Sequence, residues 1–121
     1  MNASSNTLDA GWDRRLAKGL VAPDRTIDLH GETLQSAHTS LELALGDAVR
    51  SGARLVLLIT GKAGRDNPRL PPTSRGVIRA SIADWLAMSS SASRIAAVRN
   101  AHPRHGGAGA LYVILKRARG S

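Results

Sequence analysis

Between Thr33 and Ser51 the apolar residues Leu34, Ala37, Leu41, Ala44, Leu45, Ala48 and Val49 recur at the i, i+3, i+4, i+7 spacing of one helical face. Thr33 stands where an N-cap belongs, and Gly52 where such a helix stops. The unbroken apolar run at 55–59 then reads as a strand buried on both faces in a parallel arrangement. A second helical face follows in Val77, Ile78, Ile82, Trp85 and Leu86, with Thr73 or Ser74 as its cap. Residues 26–29 alternate, which sets Ile27 and Leu29 on one side of a short strand and Asp28 and His30 on the other. A serine-rich turn at 89–93 leads to strands at 95–99 and 110–116. Ahead of all these, residues 9–18 suit a short helix with Trp12 and Leu16 one turn apart, ended by Gly19 and separated by Pro23.

The order is strand, helix, strand, helix, strand, strand. Two right-handed crossovers make the first three strands parallel, and the last two form a hairpin. The predicted fold is an α/β two-layer sandwich, βαβαββ, with a mixed four-stranded sheet, two main helices and a short N-terminal helix. Its expected divisions are a flexible tail over 1–8, a helical extension over 9–25, the domain proper over 26–117 and a short tail over 118–121.

Three glycine-bearing segments follow three of the predicted strands: Asp28-Leu29-His30-Gly31, Thr60-Gly61-Lys62-Ala63-Gly64 and His102 to Gly109. In parallel α/β sheets ligands bind beyond the carboxyl ends of the strands, and all three segments fall there. Asp28 and His30 have the outline of an acid–base pair, the carboxylate orienting the imidazole; an ordinary Asp–His hydrogen bond beside a turn accounts for the same four residues. Lys62 among glycines offers charge and backbone N–H groups to a phosphodiester, and Arg65 extends that charge, although the spacing is not that of a nucleotide P-loop. Arg104, His105, Gly106, Gly107 and Gly109 make a loop richer in imidazole and guanidinium than turning requires. The stretch from Gly61 to Thr73 is long for a strand-to-helix connection. His38 and His102 receive no role.

Seventeen Lys and Arg against nine Asp and Glu give a net charge of +8, which favours a polyanionic partner, nucleic acid ahead of an acidic membrane surface. The chain has no Cys and no Phe, so a disulfide scaffold and a Cys-built zinc site are excluded. Scarce aromatics also argue against a base-stacking RNA reader. The polar start of the chain lacks the apolar core of a signal peptide, so the expected compartment is the cytoplasm. Only Asp28, with Glu32 and Asp66, offers carboxylates near the candidate edge. No cofactor is therefore expected to be required, with a divalent ion such as Mg at Asp28 as the alternative. Imidazole chemistry with cationic stabilisation suits RNA in particular, because its own 2′-hydroxyl attacks the phosphate.

Taken together, the motifs resemble those of the small MutS-related (Smr) domain. Asp28-Leu29-His30-Gly31 is similar to the family's DLHG motif, and Thr60-Gly61-Lys62 to the start of its TGKG motif. Gly76-Val77-Ile78-Arg79 is similar to its helix start. The stretch from Pro103 through Gly109 to Val113 resembles the closing segment of stand-alone bacterial members. Ala63 departs from the pattern, as does the proline-rich stretch that follows. The resemblance implies nucleic-acid binding and endonuclease activity, on RNA (including messenger RNA on ribosomes) or by nicking DNA. On that basis the expected catalytic residues are Asp28, His30, Lys62 and His105. Gly31, Gly61, Gly64, Arg65, Arg104, Gly106, Gly107 and Gly109 are expected to hold substrate, with amides around Gly61, Gly107 and Gly109 on the phosphodiester. A non-catalytic nucleic-acid or ribosome-binding module and a metal-dependent DNA-nicking enzyme are the alternatives.

Overall fold

The two most apolar runs of the chain lie side by side in the middle of one sheet. A computed structural model describes residues 10–61 and 77–117. Its elements are α1 (Ala10–Ala17), β1 (Arg25–Asp28), α2 (Leu34–Arg50), β2 (Leu55–Ile59), α3 (Val77–Met88), β3 (Ile95–Asn100) and β4 (Ala110–Leu115). The sheet order is β1-β2-β4-β3. β1 and β2 are parallel, and β4 runs antiparallel to both its neighbours, giving the mixed α/β sheet that the pattern predicts. All six residues of β4 are buried, because a central strand has covered faces and both edges paired.

Each strand's alternation divides the core in two. Ile27, Leu29, Val56, Leu58, Leu111 and Val113 face α2 and α3, packing on Ala37, Leu41, Leu45, Ile82 and Leu86. Leu55, Leu57, Ala97, Tyr112 and Ile114 face the other way, where Leu16 of α1 covers them with Trp12 and Val21 partly buried beside it. The N-terminal helix thus closes the second face of the sheet. Asp13 of α1 is bound by Arg99 Nε of β3 at 2.8 Å, and the Arg15 and Arg54 guanidinium groups lie over the Trp12 ring.

Thr33 caps α2 as its sequence position suggests, its Oγ1 accepting the Ser36 N–H at 3.1 Å. Gly52 follows the helix at φ +79°, a conformation that favours glycine. Leu34, assigned to the buried stripe by periodicity, is instead 47% exposed; as the first helical residue it precedes the turn at Ala37 where the face first meets the sheet. Trp85 is half-buried against His38, ring centroids 5.1 Å apart. Glu42 of α2 accepts Ser89 Oγ at 2.6 Å and the Ser90 N–H at 3.1 Å, tying α2 to the turn after α3. The expected caps Thr73 and Ser74, and most of the long connection before α3, lie outside the described residues. No described helix is long and apolar enough to cross a membrane.

Candidate nucleic-acid cleavage site

β1 ends at Asp28, and the pairing persists for one more residue through Leu29 N–H to Ile59 O at 2.7 Å. Leu29 is fully buried, so it anchors the turn while its neighbours point outward. Gly31 turns the chain at φ +79°. Asp28 Oδ1 accepts twice from His30: the backbone N–H at 3.0 Å and ring Nδ1 at 2.6 Å. The side chains are 48% and 67% exposed respectively, so the pair is open to a large ligand. Partial burial pushes the Asp28 carboxyl up, but the His30 ring and backbone hydrogen bonds and its charge outweigh this and hold it below the usual value. The Asp28 hydrogen bond, then its charge, raises His30 above the ordinary histidine range. With Nδ1–H given to the carboxylate, Nε2 is the ring atom left to exchange protons or meet a phosphate.

Beside this turn lies the end of β2. Gly61, at φ +86°, is so close to His30 that a Cβ built on it would stand 3.4 Å from His30 Cβ. Its N–H and that of Thr60 both donate to Gly109 O, at 3.2 and 2.9 Å. The first two turns therefore touch, and the second touches the start of β4. In register, Asp28 stands opposite Ile59, and Ile59 opposite Ala110. At roughly 4.8 Å per strand, Asp28 and Ala110 are about 10 Å apart, within the reach of one oligonucleotide backbone.

The third segment is more ordered than a hairpin loop. Pro103–His105 and Gly107–Gly109 each form a 3-10 turn, which the glycine content conceals. Gly106, at φ +116°, admits no side chain, since a Cβ would come within 2.9 Å of Ala110 Cβ. His102 Nδ1 accepts the Arg104 N–H at 2.9 Å, and His105 Nδ1 lies 2.5 Å from the Tyr112 hydroxyl. Burial, then the charges of Arg104 and His102, hold His105 below the ordinary histidine value.

Two supports converge on this loop from opposite faces. Arg79 of α3 donates through Nη1 to Ala108 O at 2.6 Å. On the α1 side, Gly19 packs against the His102 ring, and its carbonyl accepts Arg104 Nη1 at 3.3 Å.

Asp28, His30, Gly31, Gly61 and Gly109 are thus contiguous, and Arg104, His105, Gly106 and Gly107 form the adjoining loop. Lys62, Gly64 and Arg65 lie outside the described residues. One expectation is corrected. The amides of Gly61, Gly107 and Gly109 donate to Gly109 O, His102 O and Gly106 O, so they hold the loops in shape and are not available to a phosphodiester. Among the described residues the Gly31 N–H has no such partner. Tyr112 and Arg79 were given no role from the sequence; a lone tyrosine in an otherwise aliphatic strand is the signal that points to the first. Among the described residues no group of three or more His, Asp or Glu side chains is placed to hold a metal. Asp28 and His30 are the donors at this edge, and they are bound to each other.

The Smr domain family model matches residues 27–116. No curated protein matches significantly. The chain is similar to the Smr domain of Thermus thermophilus MutS2, with 26% identity, TM-score 0.59 and coverage of 76% of this chain and 98% of that one. It is also similar to YdaL, a stand-alone small MutS-related protein from Escherichia coli, with 28% identity, TM-score 0.67 and coverage of 92% and 79%.

Proposed function

This chain belongs to the Smr domain family, and we propose on that premise that it is an endonuclease cleaving phosphodiester bonds in RNA. The Smr family is known for binding and nicking nucleic acid, which supports that reading. The observation that carries the finer reading is the Asp28–His30 pair, a carboxylate-held imidazole on an open edge of a chain with net charge +8.

His30 Nε2 takes the proton of the 2′-hydroxyl as that oxygen bonds to phosphorus. The bond from phosphorus to the 5′-oxygen then breaks, and the leaving oxygen takes a proton from solvent, to which the His30 imidazolium returns its own. The products are a 2′,3′-cyclic phosphate and a 5′-hydroxyl. Asp28 fixes the ring and favours the imidazolium that forms. Lys62 and Arg104 stabilise the pentacoordinate phosphorane, and the Gly31 N–H, next in the chain after His30, is a backbone donor for it. Grip on the backbone makes cleavage weakly sequence-specific, and RNA on the ribosome is one substrate it suits.

Incubating labelled RNA with and without EDTA tests this. EDTA-resistant cleavage that leaves a cyclic phosphate is the expected result, and His30→Ala should abolish it while binding survives. Binding without cleavage by the parent would identify a non-catalytic module, and EDTA-sensitive cutting of DNA would move the chemistry to a metal at Asp28.

A further inference from the structure

Tyr112 is fully buried in β4, yet its hydroxyl serves two residues of the third loop. It accepts the His102 backbone N–H at 3.2 Å and meets His105 Nδ1 at 2.5 Å. A phenol has one proton to give. The His102 amide can only donate, so it occupies a lone pair on the oxygen. If His105 Nδ1 also carried a proton, the oxygen would take two donors and its own buried proton would be left without an acceptor, an arrangement that proteins avoid. The hydroxyl proton therefore goes to Nδ1, and the neutral ring carries its hydrogen on Nε2.

We propose that Tyr112 is a positioning residue that locks His105 as a neutral Nε2–H imidazole, serving the cleavage site as a hydrogen-bond donor to a phosphate oxygen and not as a proton-transfer acid. The proposal rests on the cleavage reading above and assigns His105 a task within it. A neutral imidazole cannot deliver a proton to a leaving alkoxide without becoming an imidazolate, whereas it donates a hydrogen bond to a phosphorane oxygen with no change of charge. The depressed proton affinity of His105 agrees, since burial and the neighbouring Arg104 and His102 oppose a second proton.

His30 is the converse case. Its Nδ1 gives a proton to Asp28 and leaves Nε2 as the exchanging atom, so the two histidines present opposite tautomers. They also share an end and a face of the sheet. Asp28, Ile59 and Ala110 are in register, and Tyr112 follows Ala110 on the same face two residues along β4. Nε2 of His105 has no partner among the described residues.

The test pairs a spectroscopic readout with substitutions. Long-range proton–nitrogen NMR correlations at neutral pH should show His105 bare at Nδ1 and protonated at Nε2 in the parent, and a mixture of tautomers in Tyr112→Phe. His105→Gln keeps an acceptor for the Tyr112 hydroxyl and a donor in place of Nε2–H, but it cannot titrate. It should cut RNA within about tenfold of the parent, while His105→Ala loses on the order of 10²-fold, as removing one transition-state donor does. An Nδ1–H or doubly protonated His105 in the parent would overturn the assignment, and so would a Gln variant as slow as the Ala variant. If the parent cuts no RNA, the cleavage reading fails, and the tautomer is still decided by the nitrogen shifts.

Discussion

Replacing Asp28 by Asn removes one charge and almost nothing else. The Asn side chain keeps an Oδ1 where the carboxylate oxygen accepts the His30 N–H at 3.0 Å and ring Nδ1 at 2.6 Å, so the turn and the ring orientation persist. What is lost is the negative charge that favours the imidazolium, the second contribution after the hydrogen bond itself to the raised His30 value. In the parent, the fraction of His30 able to act as base grows as pH rises through that raised value. In the variant it grows through a value nearer the ordinary 6.5, so the rising limb of the pH–rate profile moves to lower pH. General acid–base catalysis contributes about 10²–10⁴-fold in rate. His30→Ala should lose all of it. Asp28→Asn, which keeps the geometry but not the electrostatic support, should lose roughly 10–100-fold on the plateau. Single-turnover cleavage of end-labelled RNA from pH 5 to 9 measures both quantities. An Asn variant with the parent's plateau and the parent's limb would refute the role of the pair.

Three further expectations follow from other contacts. Glu42 is held below its ordinary 4.5 first by Ser89 and then by Ser90, so its contribution is present above that pH and is lost as pH falls through the lowered folded value. Glu42→Ala should therefore cost about 1–2 kcal/mol at pH 7 and progressively less as pH falls below 4.5, read by urea unfolding across that range; equal stability at pH 7 would contradict it. A Cβ on Gly19 would come within 2.8 Å of the His102 ring at φ +66°, whereas one on Gly52, at φ +79°, meets nothing within 4 Å. Gly52→Ala should cost about 1 kcal/mol and Gly19→Ala up to about 3 kcal/mol in thermal melts, and identical losses would mean that the packing on His102 carries no weight. RNA affinity should fall as salt rises, with a log–log slope of about −2 to −3 for three to four phosphate contacts on a single strand; a flat response would argue against a backbone grip.

The strands and helices were legible because their signals are local. Periodicity in α2 and the uninterrupted run of β2 each require only neighbouring residues to be read correctly. The Asp28–His30 pair was legible for the same reason, the two being separated by one buried leucine on a strand end. What escaped the sequence depends on how the chain folds back on itself. Tyr112 meets His105 and His102, seven and ten positions before it, only because the two 3-10 turns fold the loop onto the start of β4, and Arg79 reaches Ala108 from 29 positions away. Internal use of the Gly61, Gly107 and Gly109 amides was equally invisible, since glycine marks where a backbone bends without telling where its N–H points. Leu34 misled because periodicity identifies a face and not the point along it where contact begins.

The second face of the sheet explains why the extension matters to the site. β2 and β4 are apolar on both sides, so α2 and α3 alone would leave Leu57, Tyr112 and Ile114 facing water; Leu16 and its neighbours cover them. That covering brings Gly19 onto His102 and its carbonyl onto Arg104, while Arg79 holds the same loop from the α3 side. The family match begins at residue 27, yet the third loop is set by contacts from before that point as well as within it. In the proposed cleavage, the half of the site buttressed from both faces is the half assigned to hold a hydrogen-bond donor still. The Asp28–His30 half, open and two-thirds exposed at the imidazole, is the half assigned to proton exchange. A buttressed loop beside an accessible acid–base pair is the division of labour that the proposed cleavage of a backbone, without reading its bases, calls for.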